Sequence, residues 1–134
     1  MKELKKSGLL IIVFLCFLTY SKARMCSIED VRNSDGVYNF NINGVPCSKV
    51  NLKRTGLKDN DIIKMSQALE GDSNVITLDV SQNRFGDKGA IAIATLLEHK
   101  NSKLTHLWLS ANNIGCGGIS KVAEAISENV FLEE

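Results

Sequence analysis

Outside its first 23 residues the chain holds three cysteines, two histidines and one tryptophan. Cys116 lies in the run NNIGCGG, at the expected start of a helix, where the partial positive charge of the helix end lowers a thiol pKa. A nucleophilic thiol needs a base beside it. The register derived below sends His106 to the opposite side of the fold and leaves His99 at a helix end, so no base is placed and catalysis is not expected. No Cys and His spacing matches a zinc site. NNIGCGG also lacks the Gly-Lys-Ser/Thr of a phosphate loop, so its glycines read as turn residues, and no metal or cofactor is expected. Cys26 and Cys47 flank the segment ahead of the repeated part and are the expected disulfide pair, leaving Cys116 free. The alternative is that Cys47 is a small apolar core residue.

The elements that position these residues come from a pattern that occurs twice between residues 75 and 114. An apolar residue, two others, apolar-x-apolar, two others, Asn, one other and an apolar residue fit Val75, Leu78, Val80, Asn83 and Phe85. They fit again at Leu104, Leu107, Leu109, Asn112 and Ile114, each 29 residues later. A weaker copy, 28 residues earlier, runs through Cys47, Val50, Leu52, Thr55 and Leu57, with Thr55 in place of Asn. A fixed period of this size marks a stacked-repeat architecture. After each copy the apolar period changes from 2 to 3.6: Gly89, Ala90, Ile93, Ala94 and Leu97 match Gly118, Ile119, Val122, Ala123 and Ile126. Each unit is therefore strand, loop, helix, and the class is α/β. Strands are expected near 50–52, 76–80 and 105–109. Helices are expected from a cap at Asp59 or Asn60 to Glu70, over 88–99 and over 118–128.

The LxxLxLxxNxI pattern, its GxxG continuation and the 28/29 period resemble the ribonuclease-inhibitor class of leucine-rich repeats, over residues 47–132. The resemblance implies a leucine-rich-repeat solenoid of about three repeats. It does not choose a function, because inhibitors, cytosolic immune sensors, a GTPase activator and bacterial effectors share that scaffold. Inhibitor-like or GTPase-activator-like regulation of a partner enzyme is one alternative it leaves open. A truncated repeat fragment without its own activity is another.

Ahead of the repeats the chain reads in two parts. Residues 1–23 have a basic start at Lys2, Lys5 and Lys6, an apolar run over 8–18, and small residues at Ser21 and Ala23. This is the form of a secretory signal peptide cut after Ala23. Its apolar run is short for a membrane span, which needs roughly 20 residues. A secreted or extracytoplasmic protein without a stable membrane span is expected. Residues 24–46 form an N-terminal cap segment, with one helical turn around Ile28 and Val31 and an antiparallel hairpin over 37–48 turning at Asn43-Gly44. That hairpin is expected to cover the open end of the stack formed by residues 47–134. At the other end, residues 130–132 read as the start of a fourth strand with no capping repeat after it, so self-association through that end is a further expectation.

Helices are wider than the spacing of strands, so the parallel-strand side of the stack is concave. Side chains alternate along a strand, so the neighbours of Leu78, Val80, Leu107 and Leu109 point outward. The outward sets are Lys49, Asn51, Lys53; Thr77, Asp79, Ser81; and His106, Trp108, Ser110. A tryptophan set among polar residues on a concave face is how a binding hot spot reads. A non-enzymatic protein-binding module is expected, using Trp108, His106, Asp79, Thr77, Asn51, Lys49 and Lys53. Asn83 and Asn112, with Thr55 as a weaker member, read as a structural ladder bonding buried backbone of the turns. Removing residues 1–23 leaves 12 basic and 14 acidic residues, which gives no electrostatic footprint for nucleic acid.

Overall fold

The structure, a computed structural model, describes residues 24–71, 74–100 and 102–129. The expected leader over 1–23 and the expected strand start over 130–132 lie outside the described residues. In chain order the elements are β1 (Arg24–Cys26), α1 (Ile28–Val31), β2 (Asn41–Ile42), β3 (Val45–Asn51), α2 (Asp59–Glu70), β4 (Thr77–Asp79), α3 (Asp87–Glu98), β5 (His106–Trp108) and α4 (Cys116–Glu128). The parallel sheet has the order β1-β3-β4-β5, and β2 pairs antiparallel with the start of β3. Parallel strands alternate with helices, as in a leucine-rich-repeat solenoid.

Each repeat strand turns its central side chain toward the core and leaves the two beside it exposed or half-buried. Val50 and Leu78 are buried at the centres of their pairings, and Leu107 is half-buried on the last strand. The register is Lys49 on Thr77 on His106, Val50 on Leu78 on Leu107, and Asn51 on Asp79 on Trp108. Behind the sheet lies one apolar layer that includes Leu52, Leu57, Ile62, Met65, Val80, Phe85, Ile93 and Leu96. Burial of this surface, about 25 cal/mol per Å², drives the stacking. Helices α3 and α4 close on the turns through glycine. A Cβ at Gly89 would lie 2.8 Å from the Phe85 ring, and one at Gly118 would lie 2.7 Å from Ile114, so only glycine lets these helices approach.

Several expected boundaries are corrected. The N-terminal edge of the sheet is β1, a parallel strand of three residues beside β3, and not the hairpin. The hairpin is smaller than expected: Asn41 and Ile42 pair with Pro46 and Val45 across the Asn43-Gly44 turn. Both turn residues have positive φ, 53° and 78°, as a tight hairpin turn demands. Residues 37–40 contribute instead a bridge from Tyr38 to Arg32 and the buried rings of Tyr38 and Phe40. Asp59 does not cap α2. Lys58 occupies that position, its N–H donating to Asp61 Oδ2 at 3.0 Å, and Asp59 is free to reach the next repeat. Helices α3 and α4 begin at Asp87 and Cys116, before the expected 88 and 118, because the first turn tolerates polar and glycine residues that carry no apolar periodicity.

Cys26 and Cys47 are bridged, with Cα atoms 6.0 Å apart. Both are fully buried, so Cys47 is also a core residue at the first repeat position. The bridge ties β1 to β3, and Cys116 is a free, exposed thiol.

Candidate functional site

Two layers of side chains stand at the rim of the sheet, and both arise from the 28/29 period. One fastens the turns. Asn83 is buried, and its amide Nδ2 donates to Leu52 O at 2.8 Å and Val80 O at 2.9 Å. Its Oδ1 accepts from Thr55 N at 3.1 Å and Leu57 N at 3.0 Å. Asn112 repeats the arrangement one unit on: Nδ2 donates to Val80 O at 3.0 Å and Leu109 O at 2.9 Å, and Oδ1 accepts from Asn83 N at 3.1 Å. Thr55 has only a hydroxyl, which donates to Leu52 O at 2.7 Å. Buried backbone groups need such partners, so the side chains of this layer are occupied.

The second layer is the outward face of the parallel sheet, the side expected to be concave. Lys49, Asn51 and Lys53 are exposed on the first repeat, and Thr77 and Asp79 are half-buried on the second. On β5, His106 is exposed and Trp108 is 45 % exposed. The rings of His106 and Trp108 stack, with centroids 5.9 Å apart and planes at 26°. Thr105 Oγ1 lies 2.7 Å from His106 Nδ1 and helps fix the imidazole. Asp79 is held as well: its Oδ1 accepts from Ser81 N at 2.9 Å and Ser81 Oγ at 2.6 Å. Asn51 Oδ1 accepts from Lys53 N at 3.1 Å. The result is an aromatic pair at one side, a fixed carboxylate in the middle and two lysines at the other side. Ser81, expected outward, is buried at 3 % exposure because its hydroxyl turns back to Asp79.

Helix starts make a third contact that sequence reasoning missed. Asp59 Oδ1 accepts from Gly86 N at 2.9 Å and Gly89 N at 2.8 Å, both at the start of α3. Asp87 Oδ1 accepts from Gly115 N at the start of α4, 2.6 Å away. Each acid thus neutralises the helix end of the following repeat. The available signal was the 28-residue spacing of Asp59 and Asp87 ahead of GxxG pairs. Cys116 holds the same place in the third repeat and is exposed, away from the concave face that carries His106. Also missed was the column Arg54, Gln82, Ala111, each at a left-handed backbone position one residue before the ladder. Arg54 Nε donates to Gln82 Oε1.

Among the described residues no group of three His, Cys, Asp or Glu is placed to hold a metal ion. Among them, too, no helix is long and apolar enough to cross a membrane.

Comparison with curated proteins finds no match. The family model described as Leucine Rich repeat matches residues 72–94 and 100–123, two units in series. These units run through β4 and α3 and through β5 and α4, and repeats of this kind suggest a protein-binding module. Residues 72–94 and 100–123 are leucine-rich repeats, and the parallel strands and helices that they build form a leucine-rich-repeat solenoid.

Proposed function

We propose that this is a secreted, non-enzymatic protein-binding module that docks a partner on the concave face of its sheet. The observation that carries the reading is the stacked His106–Trp108 pair, exposed on β5 beside the half-buried Asp79. A large aromatic held by its neighbours loses little entropy on burial, which is what a hot spot requires. Lys49, Lys53, Asn51 and Thr77 complete the face as its polar surround. The mechanism is steric: a rigid sheet covers a partner surface and does no bond chemistry. Export is supported by the form of residues 1–23, and the Cys26–Cys47 bridge is compatible with an extracellular location. The alternation of strand and α-helix at 28/29 residues supports the ribonuclease-inhibitor type of repeat.

The test uses the full chain, immobilised, as wild type and as Trp108→Ala. The wild type should retain a partner from extracellular fluid and the variant should lose it, with circular dichroism unchanged. Equal retention by both would refute the reading.

A second reading, self-association, is favoured by the side of β5 and α4 that faces away from β4. Ile119 is 52 % exposed although its repeat partner Ala90 is fully buried, and Ile126 is 41 % exposed although Leu97 is buried. Sedimentation of the full chain across a concentration series should then show a dimer. An unchanging monomer would discard it.

A further inference from the structure

A shallow cleft of about 430 Å3 lies where the strands pass into the turns, lined by Arg54, Gly56, Gln82, Asn83, Arg84 and Ala111. We propose that this cleft holds an Asp or Glu side chain of an acidic peptide segment of the partner. The proposal rests on the docking of a protein on the neighbouring concave face and names the chemistry of that partner.

The cleft offers donors and no free acceptor among its side chains. Gln82 Oε1 accepts from Arg54 Nε, which leaves the amide Nε2, a donor, as the other end of that side chain. The same contact fixes the guanidinium of Arg54 and leaves its two terminal nitrogens, the fork that matches a carboxylate in two parallel bonds. Arg84 adds a second guanidinium. Neither arginine is in an ion pair among the described residues, where the pairs are Arg32–Asp61 and Lys121–Glu124. Among the described residues no acidic one lines the cleft. The Asn83 amide does not compete, because both its ends are spent on backbone. Gly56 and Ala111 keep the walls low, and a Cβ at Gly56 would meet nothing within 4 Å. Two positive charges without a counter-charge, in a concavity with oriented donors, select an anion.

The anion is a protein carboxylate and not a nucleic-acid backbone. A strand of phosphates running from the cleft along the sheet would meet the fixed carboxylate of Asp79. The whole chain has a net charge of only +1, far from the basic stripe that holds a polyanion. A single acidic side chain needs only the cleft itself.

The experiment follows the arginine Nε–H signals of the full 15N-labelled chain as peptide is added at low salt. The probes are Gly-Ser-Glu-Glu-Ser-Gly, its counterpart with Gln for Glu, and inorganic phosphate. The Glu peptide should move the Arg54 and Arg84 signals in a saturable way and the Gln peptide should not. The double variant Arg54→Gln, Arg84→Gln should weaken Glu-peptide binding at least about tenfold, and Arg54→Lys, which keeps the charge but loses the fork, should weaken it by roughly threefold to fivefold. Ile91→Ala, on the helix behind the sheet and in neither the cleft nor the aromatic pair, should leave it within about twofold. If the Glu peptide fails to move these signals, the proposal falls, while partner loss in Trp108→Ala would still uphold the concave face. Undiminished binding by the double variant would overturn the assignment. So would phosphate saturating the signals while the Glu peptide does not. Where a variant does not fold, the wild-type signals alone decide.

Discussion

Replacing Asn83 by Ala should be the most damaging single change in the turns. Its effect can be worked from its four shortest backbone bonds, the fifth being a 3.3 Å bond to Ser81 O, which also accepts from Arg54 N. The two carbonyls it serves each keep another donor: Leu52 O still accepts from Thr55 Oγ1, and Val80 O still accepts from Asn112 Nδ2. The two N–H groups do not. Thr55 N and Leu57 N both rely on Asn83 Oδ1, and Leu57 is fully buried. An orphaned buried group costs about 1–3 kcal/mol, so two of them, one only half-buried, set the loss near 4 kcal/mol. Asn112→Ala provides the comparison. It abandons Leu109 O and Asn83 N in a half-buried setting that water reaches, so about 1–2 kcal/mol is expected. Urea unfolding of both variants, followed by circular dichroism with the disulfide intact, measures the difference. Asn83→Asp adds a check on the donor. It keeps an acceptor for the two N–H groups but sets a carboxylate against two carbonyls, so it should be destabilised at neutral pH and recover in part in acid. Losses for Asn83→Ala and Asn112→Ala equal within about 0.5 kcal/mol would refute the reasoning, because burial of the ladder would then decide nothing.

Four further outcomes are expected. Reducing the Cys26–Cys47 bridge, which spans 21 residues, should cost about 3 kcal/mol in thermal or urea unfolding and free β1 from the sheet. Leu107→Ala should destabilise the fold by ~2–3 kcal/mol and Trp108→Ala by under ~0.5 kcal/mol, since only the former belongs to the core; the reverse order in the same assay would mean a strand register off by one. Burial pushes the Tyr38 phenol above its ordinary value, with Asp61 pushing the same way and Arg32 opposing. Its contribution is therefore complete below the unfolded phenol pKa, roughly 10, and is lost as pH rises through the higher folded value. The Tyr38 hydroxyl has no hydrogen-bond partner among the described residues, so Tyr38→Phe should be neutral or stabilising and should flatten that alkaline loss in pH-dependent melting. Finally, mass spectrometry of the chain from a secreting host should find an N-terminus at Arg24; Met1 retained would exclude cleavage.

The strands were legible because one alternation is repeated at a fixed spacing. Once Leu78 is matched to Leu107, Thr77 must stand beside His106 and Asp79 beside Trp108, as they do. The helices were legible in their apolar faces and less so in their first turns, where Asp87 and Cys116 carry no periodicity. Strand β1 was not legible. Three residues without a clear alternation owe their pairing to β3 and the bridge at Cys47, both remote in sequence. Ser81 was misplaced outward because a period counts positions and knows nothing of a hydroxyl that finds Asp79. The reach of Asp59 to Gly86 and Gly89, and of Arg54 to Gln82, escaped for the same reason. These are contacts between repeats, set by how closely neighbouring units stack.

Hydroxyl-radical footprinting of the free and partner-bound chain separates docking on the sheet from docking on the helices. Side-chain oxidation of Trp108 and His106 should fall on binding, while Ile91, 45 % exposed on α3 behind the sheet, should react as before. Protection of Ile91 with Trp108 still fully reactive would place the partner on the helices and rule out docking on the sheet.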